Sequence, residues 1–419
     1  MSPGTLLTAD GQVIALLCST LGMASSRELK PLGPREWHEL SDALRNSELG
    51  RPSDLLGRHP EEIAIALGTS PEMALRLARL LSRGGQLAFE LEHLASRGVW
   101  VLTRAEDAYP QRLKKLLQTQ APPVLYGAGR QETLEHGALA VVGSRDADPD
   151  ALHFTRELAR TCARQQVTVV SGAARGVDRE AMGAAIQAGG TALGVTVDPL
   201  ERLIRRPEMR TALAEGSLTL VTPFHPAARW QASNAMRRNR LIYVLSRAAV
   251  IASASAGSGG TWAGAIENLE HGWVPTFVRE DASPASRQLQ LNGALGMPEQ
   301  IVVDVDVRRL FQANRVPSLL SPEAALDGLP LEHGSNGHGP SQVGPPAKQD
   351  AFLSVWPLMK ATLQQPRSER EVAETLSLQL GQARSWLQRA VEEGLVSSST
   401  HGRKLYVISE HDTRQLRLG

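Results

Sequence analysis

The chain has 419 residues, enough for two or three domains, and a formal net charge of +1, which excludes a histone-like binder working through a global field. Its two cysteines, Cys18 and Cys162, have neither CxxC nor metal-ligand spacing, so a disulfide framework is excluded and both read as buried thiols. No apolar run approaches the roughly 20 residues of a membrane span, and the N-terminus lacks a basic stretch, apolar block and small-residue cleavage site, so the expected compartment is the cytoplasm.

Residues 1–98 read as a helical domain. An apolar stripe runs from Leu6 to Cys18. Pro60-Glu61-Glu62-Ile63 predicts a helix start, with proline in the first turn and acids that suit the dipole. Ser70-Pro71-Glu72 predicts another, capped by Ser70 and carrying Leu75, Leu77 and Leu80. The pair flanking Gly68-Thr69 fits either a helix-hairpin-helix or SAM-like module or a packing domain without a ligand.

Over 99–312 short β-branched runs alternate with amphipathic helices. The expected strands are Val99–Leu102, Ala140–Val142, Val167–Val170, Ala192–Val195, Thr219–Val221, Ala249–Ile251, Thr276–Val278 and Ile301–Val303. Alternation of this kind predicts an α/β fold with a doubly wound, mostly parallel sheet. The strands' nearly unbroken apolar character fits helices on both faces. Residues 313–350 are rich in Pro, Gly and Ser and read as a flexible linker. In 351–419, Phe352–Leu363 is expected to be helical, with Phe352, Val355, Trp356 and Met359 on one stripe. Ser368-Glu369-Arg370-Glu371 is a capping box, a third helix covers Gln379–Glu393 with Gly394 as its C-cap, and Val396–Ser399 and Lys404–Ile408 form a hairpin through His401-Gly402-Arg403. Three helices and a hairpin make a winged-helix arrangement.

Three glycine-rich turns fall where a strand should hand over to a helix. They are Val142-Gly143-Ser144-Arg145, Ser171-Gly172-Ala173-Ala174-Arg175-Gly176-Val177-Asp178, and Ala256-Gly257-Ser258-Gly259-Gly260-Thr261. In an open parallel sheet such turns gather at the carboxyl edge of the strands, where ligands bind. Glycine allows close backbone approach to an anion, helix N-termini supply N–H groups, and Arg145 and Arg175 would add charge. Neither GxGxxG after the first of these strands nor GxxxxGK[ST] anywhere is present, so a dinucleotide enzyme or ATPase is not indicated.

The densest basic run is Arg237-Arg238-Asn239-Arg240, expected just ahead of an apolar helix Leu241–Leu245. His225 and Trp230 precede it, and Arg202, Arg205, Arg206 and Arg210 lie nearby with Glu201 and Glu208 as the only acids among them. Arginines interleaved with an aromatic suit a single-strand groove that holds phosphates by charge and bases by stacking. No catalytic residue, metal ligand or cofactor is expected. His153, His225 and His271 are isolated, Asp178 reads as a helix N-cap, and Glu180 and Glu267 would serve as acid or base only if they faced the crevice.

Taken in order, these motifs resemble the DNA-processing protein A (DprA/Smf) family over about residues 85–310 and more loosely over 351–410. The resemblance is carried by Trp100-Val101-Leu102-Thr103, Tyr109-Pro110, Ala121-Pro122-Pro123-Val124-Leu125-Tyr126, Ala140-Val141-Val142-Gly143-Ser144-Arg145, Val170 to Asp178, and Arg237-Arg238-Asn239-Arg240-Leu241-Ile242. It implies an extended Rossmann-like fold, a homodimer, binding and protection of single-stranded DNA, and loading of the RecA recombinase, mainly in natural transformation. It also implies Arg145 as a DNA contact, Gly172 and Gly176 as a phosphate cradle, and residues 237–240 as the arginine–asparagine motif. The chain departs from the family pattern at Ala235-Met236, where Phe-Pro is usual, and at the third turn, leaving transformation, recombination and phage defence open as pathways.

Two other classes remain. Gly259-Gly260-Thr261 echoes the loop of phosphoribohydrolases that cleave nucleoside monophosphates, but Gly264 stands where that chemistry needs a carboxylate and Glu267 would have to replace it. A nucleotide-sensing module would use the crevice for a small ligand. On the winged helix, Arg384, Gln388, Arg389, Arg403 and Lys404 are offset by Glu392 and Glu393, a thin basic face for a major groove, so DNA and protein partners are both open.

Overall fold

The computed structural model describes residues 7–23, 29–135 and 137–313, then 359–408 apart from positions 361, 376–379, 393 and 402. Leu6, nearly all of the expected linker (314–350), Phe352, Val355, Trp356 and Gly402 lie outside these residues. The chain divides into two compact units, Met1–Leu329 and Pro330–Gly419.

The first unit opens with five helices: α1 (Ala9–Cys18), α2 (Pro34–Arg45), α3 (Pro60–Leu67), α4 (Pro71–Leu81) and α5 (Gly84–Ser96). Their starts follow the local chemistry. Thr8 and Ser70 each accept a backbone N–H of the first turn, and α2, α3 and α4 carry proline at the first position, where no intrahelical donor is lost. Helices α2 and α5 were not anticipated, although Trp37, Leu40 and Leu44 form a buried stripe. In α4 the buried face is Ala74, Leu77 and Leu80, while Leu75 falls off it and is 43 % exposed.

Among the described residues nine strands follow: β1 (Trp100–Thr103), β2 (Val124–Ala128), β3 (Ala138–Val142), β4 (Thr168–Ser171), β5 (Ala192–Val195), β6 (Leu218–Thr222), β7 (Ala248–Ile251), β8 (Thr276–Arg279) and β9 (Leu295–Met297). They form one sheet in the order β1-β2-β6-β5-β4-β3-β7-β8-β9. Pairings β1–β2 and β2–β6 are antiparallel and all others parallel. The intervening helices are α6 (Gln111–Leu117), α7 (Pro149–Arg164), α8 (Val177–Gln187), α9 (Leu200–Leu203), α10 (Pro207–Glu215), α11 (Ala232–Val244), α12 (Gly259–His271), α13 (Pro284–Leu291) and α14 (Val307–Leu310). The chain winds outward from β3 through β4 and β5 to β6, then returns through α11 to place β7 on the other side of β3. That reversal creates a topological switch point between β3 and β7. All residues of β3 and β7 are buried, as a sheet covered on both faces requires.

Three strand assignments change. β2 and β9 are additional, and Ile301–Val303 is no strand: Glu299–Ile301 is a 3-10 turn, and the Val302 carbonyl accepts the Thr161 hydroxyl at 2.9 Å. The strand that pairs with β8 is Leu295–Met297, just before Pro298. Apolar runs of three residues carry too little periodicity to tell such neighbours apart. Cys162 is buried and Cys18 partly so.

The N-terminal helices share an apolar core with the antiparallel side of the sheet, where Leu17, Leu21 and Leu77 join Val101, Val124, Tyr126 and Leu220. The buried Glu106 carboxylate locks this junction. It accepts Thr8 N at 3.2 Å, Thr8 Oγ1 at 3.0 Å, Thr103 N at 2.7 Å and Thr103 Oγ1 at 2.6 Å. Truncating it strands four donors.

In the second unit, Met359, Leu363, Val372, Ala373, Leu387, Ala390, Val396 and Tyr406 form a small core. Helices Glu369–Thr375 and Leu380–Glu392 precede the hairpin Val396–His401 with Arg403–Ile408. Ser368 and Glu371 form the expected capping box, the Ser368 N–H donating to Glu371 Oε2 at 2.8 Å. Arg367 and Tyr406 exchange backbone hydrogen bonds, adding an isolated antiparallel bridge beside the hairpin.

Glu106→Ala should cost about 1–3 kcal/mol of stability, as a lower denaturant midpoint. An unchanged midpoint would mean that the carboxylate does not tie α1 to β1.

Candidate nucleic-acid interface

The three glycine-rich turns follow β3, β4 and β7, which are adjacent strands. Because these strands run parallel, all three turns emerge on one carboxyl rim at the switch point. Direct bonds knit them together. Ser144 N donates to Ser253 O at 3.1 Å, Val177 N to Ser144 O at 3.2 Å, and Thr261 Oγ1 to Gly143 O at 2.9 Å. Gly176 has φ +73°, and a Cβ there would lie 2.3 Å from Ser144 O, so the second turn can pass the first this closely only with glycine. On the rim Arg145, Arg175, Ser258, Gly259 and Gly260 are exposed, Ser144 and Thr261 are half-buried, and Gly143, Ser171 and Gly172 are buried.

The arginine run does not precede a helix. It lies inside α11, the crossover from β6 to β7. With 3.6 residues per turn, four consecutive side chains cannot share one face, and these four have four separate environments. Asn239 Nδ2 donates to Gly260 O at 2.9 Å, joining α11 to the third turn. Arg237 is exposed and its guanidinium stands 5.8 Å from the centre of the Phe224 ring. Arg240 pairs with Glu267 at 2.7 Å and also bonds Gln120 Oε1.

Arg238 is only 4 % exposed and reaches the second turn. A Cβ on Gly172 would sit 1.9 Å from Arg238 Nη1 and 2.5 Å from Asp178 Oδ2, so the bare α-carbon is what admits both groups. Asp178 is therefore not the N-cap of α8. It is the helix's second residue, turned inward, with Ala174 N donating to Oδ2 at 3.4 Å. Burial pushes its carboxyl above the usual range, opposed by the attraction of Arg238. Burial likewise lowers the Arg238 guanidinium, with Asp178 opposing and Arg145 adding repulsion. Arg238 Nε has no hydrogen-bond partner among the described residues, although a buried donor of this kind normally finds one.

The other candidates scatter. Glu180 pairs with Arg156 at 2.6 Å, and Glu267 with Arg240, so neither is a free carboxylate at the rim. A Cβ on Gly264 would meet the Tyr243 ring at 3.3 Å and Asn239 at 3.4 Å, close packing for a longer side chain. Arg202, Arg205, Arg206 and Arg210 lie on and between α9 and α10, after β5. Among the described residues no group of three or more His, Cys, Asp or Glu could hold a metal, and no helix is long and apolar enough to cross a membrane. Phe224 escaped sequence reasoning because a lone aromatic in a Pro-Phe-His-Pro loop has no periodic signal.

Residues 100–303 match the sequence model of the DNA recombination-mediator protein A family. Through this stretch the chain is similar to the DprA/Smf family. Protein Smf of Escherichia coli strain K12 is 35 % identical over 155 residues, 36 % of this chain and 41 % of that protein. The DNA processing protein DprA of Streptococcus pneumoniae strain R6 is 29 % identical over 155 residues, 37 % of this chain and 54 % of that one. The chain thus matches only about half the length of these relatives. A solved structure of DNA processing protein A from Streptococcus pneumoniae aligns at TM-score 0.49 and 22 % identity, covering 66 % of this chain and 99 % of that one. Within the DprA/Smf stretch fall all three turns and α11.

Gly172→Ala should cost about 1–3 kcal/mol through overpacking against Arg238, and clearly less in a chain already carrying Arg238→Ala. Equal costs in the two backgrounds, by denaturant titration, would show that the two sites are not in steric contact.

Proposed function

We propose that this protein is a non-catalytic, single-stranded DNA-binding member of the DprA/Smf family that holds the sugar–phosphate backbone along the carboxyl rim of its sheet. The meeting of three glycine-rich turns at one rim, with Arg238 of α11 reaching the second and Asn239 the third, carries the reading. The ligand-contacting set is Gly143, Ser144 and Arg145 with Ser171, Gly172, Arg175 and Gly176, then Arg237, Arg238, Asn239 and Arg240, and Ser258, Gly259, Gly260 and Thr261. Within it the roles divide. The exposed Arg145 and Arg175 meet phosphates on the rim, Arg237, exposed on the Phe224 side of α11, meets the strand beyond it, and the N-terminus of α12 offers backbone N–H groups and a positive dipole end. Arg238 acts from beneath, a buried cation with an unpartnered Nε that an anion on the Gly172 turn would compensate. Arg240 and Asn239 position α11 against Glu267 and Gly260.

Support for a recombination role comes from the family's description as a recombination mediator. In this reading the protein works in the cytoplasm as a homodimer, protects incoming or exposed single strands, and loads RecA on them. The domains are the helical segment 1–98, the Rossmann-like segment 99–312, the linker 313–350 and a winged helix at 351–419. Two helices, a hairpin and the Arg367–Tyr406 bridge favour that last assignment. The pairing of Glu267 with Arg240 and the close packing at Gly264 weigh against a phosphoribohydrolase.

Replacing Arg145, Arg175 or Arg237 with alanine should weaken binding of all single strands alike and reduce the slope of log affinity against log salt by roughly 0.7 for each lost phosphate contact. A slope that stays the same in all three variants would remove the rim as the backbone site.

A further inference from the structure

Two opposite charges are buried over the α-carbon of Gly172. Arg238 arrives from α11 and Asp178 from the first turn of α8. The point where a Gly172 Cβ would stand lies 1.9 Å from Arg238 Nη1 and 2.5 Å from Asp178 Oδ2, so the two ends share one small space. The carboxylate bonds its own turn, accepting Ala174 N at 3.4 Å, and attracts Arg238 without a hydrogen bond to it. The guanidinium that this acid neutralises is the same one that an anion on the Gly172 turn would use.

We propose that Asp178 sets the affinity of the rim: it serves as the counter-ion of Arg238 while the site is free, and takes up a proton when a phosphate of the strand binds there. The inference rests on the rim reading above and names how that site is regulated. The proton comes from solvent and ends on a carboxylate oxygen, and no bond of the phosphate changes. Like charges sharing one desolvated site cannot both stay ionised cheaply, and a phosphate cannot shed its charge near neutral pH, so the carboxylate gives way. Burial already pushes this carboxyl above the usual range, with Arg238 foremost among the opposing influences. A phosphate at Arg238 weakens that opposition and moves the carboxyl further the same way. The surroundings also suit the protonated form. Ser171 Oγ faces the carboxyl but donates its own proton to Val141 O at 2.6 Å, which leaves it an acceptor that a protonated Asp178 can use and an ionised one cannot.

Few other charges face the pair. Arg145 of the first turn repels Arg238, and Asp198, after β5, attracts it. Tyr243 of α11 faces both Asp178 and Glu267, and burial keeps its phenol neutral. Arg175 is exposed on the same turn, Glu180 of α8 is paired with Arg156 of α7, and Glu267 with Arg240. Among these acids Asp178 alone is buried. His225 lies elsewhere: with Arg237, Leu241 and residues of the N-terminal helical segment such as Leu32 it lines a cavity of about 360 Å³, to which none of the three turns contributes.

The test measures binding of an oligothymidylate, whose bases and phosphodiesters do not titrate across about pH 5 to 8, to the full chain, Asp178→Asn and Arg145→Ala. The bound state holds the carboxyl's proton more tightly than the free state, so affinity of the parent should rise as pH falls, by up to about tenfold per pH unit. Calorimetric titrations of the parent in two buffers of unlike ionisation enthalpy read the same proton directly as an uptake. Asp178→Asn should bind more tightly at the upper end of the range, on the order of tenfold, and lose both the uptake and the pH dependence that goes with it. Because removing one partner of a buried charge pair costs stability, folding of this variant is checked by its denaturant midpoint, and where it does not fold the buffer comparison on the parent decides alone. No proton uptake by the parent across the range, an uptake that Asp178→Asn keeps, or weaker binding by the folded variant overturns the proposal. Arg145→Ala without effect on affinity sinks the rim itself, whereas weakened binding by Arg145→Ala with no uptake by the parent leaves the rim standing and removes the coupling.

Discussion

A buried guanidinium pressed against a backbone without a side chain is the constraint on which this site depends. Arg238 lies against Gly172, where no Cβ stands in its way. Its charge is taken out of water, with Asp178 nearby as a compensating charge and no partner for Nε among the described residues. Isolated buried charge is costly. In the proposed reading an anion bound at the Gly172 turn offsets that charge, and the cost is part of how the rim is made ready for it.

The fold makes that arrangement possible through its winding. Because the chain builds outward from β3 and then returns, α11 must cross over from β6 to β7. The crossover sets one side of α11 against the glycine turns and leaves the other beside the cavity with the N-terminal segment. The Glu106 junction matters for the same reason: it ties α1 to β1 and so steadies a wall of that cavity. The helical segment is thereby drawn into the site's architecture, sharing its core with the edge of the sheet.

Much of this was readable from residues. The strands β3 to β8 announce themselves as short β-branched runs, since burial on both faces leaves no polar alternation to blur them. Capping residues such as Ser70 and Ser368 marked helix starts correctly because the bonds they make are local. Errors came where a choice depended on partners far along the chain. Ile301–Val303 is the more apolar and β-branched run, yet it is Leu295–Met297 that pairs with β8. Asp178 looked like a cap, yet the presence of Arg238 some sixty positions later turns it inward. Phe224 acquires meaning only beneath Arg237.

By itself the sequence determined the alternating α/β pattern, the three glycine-rich turns and the basic run, because each follows from interactions within a few residues. Tertiary structure alone decided that the turns meet on one rim, that Arg238 and Asn239 of the basic run reach those turns while Arg237 and Arg240 do not, and that Arg238 is buried while Arg237 is open. Those outcomes depend on strand order and on helical rotation against distant neighbours, contacts that no local pattern of residues encodes.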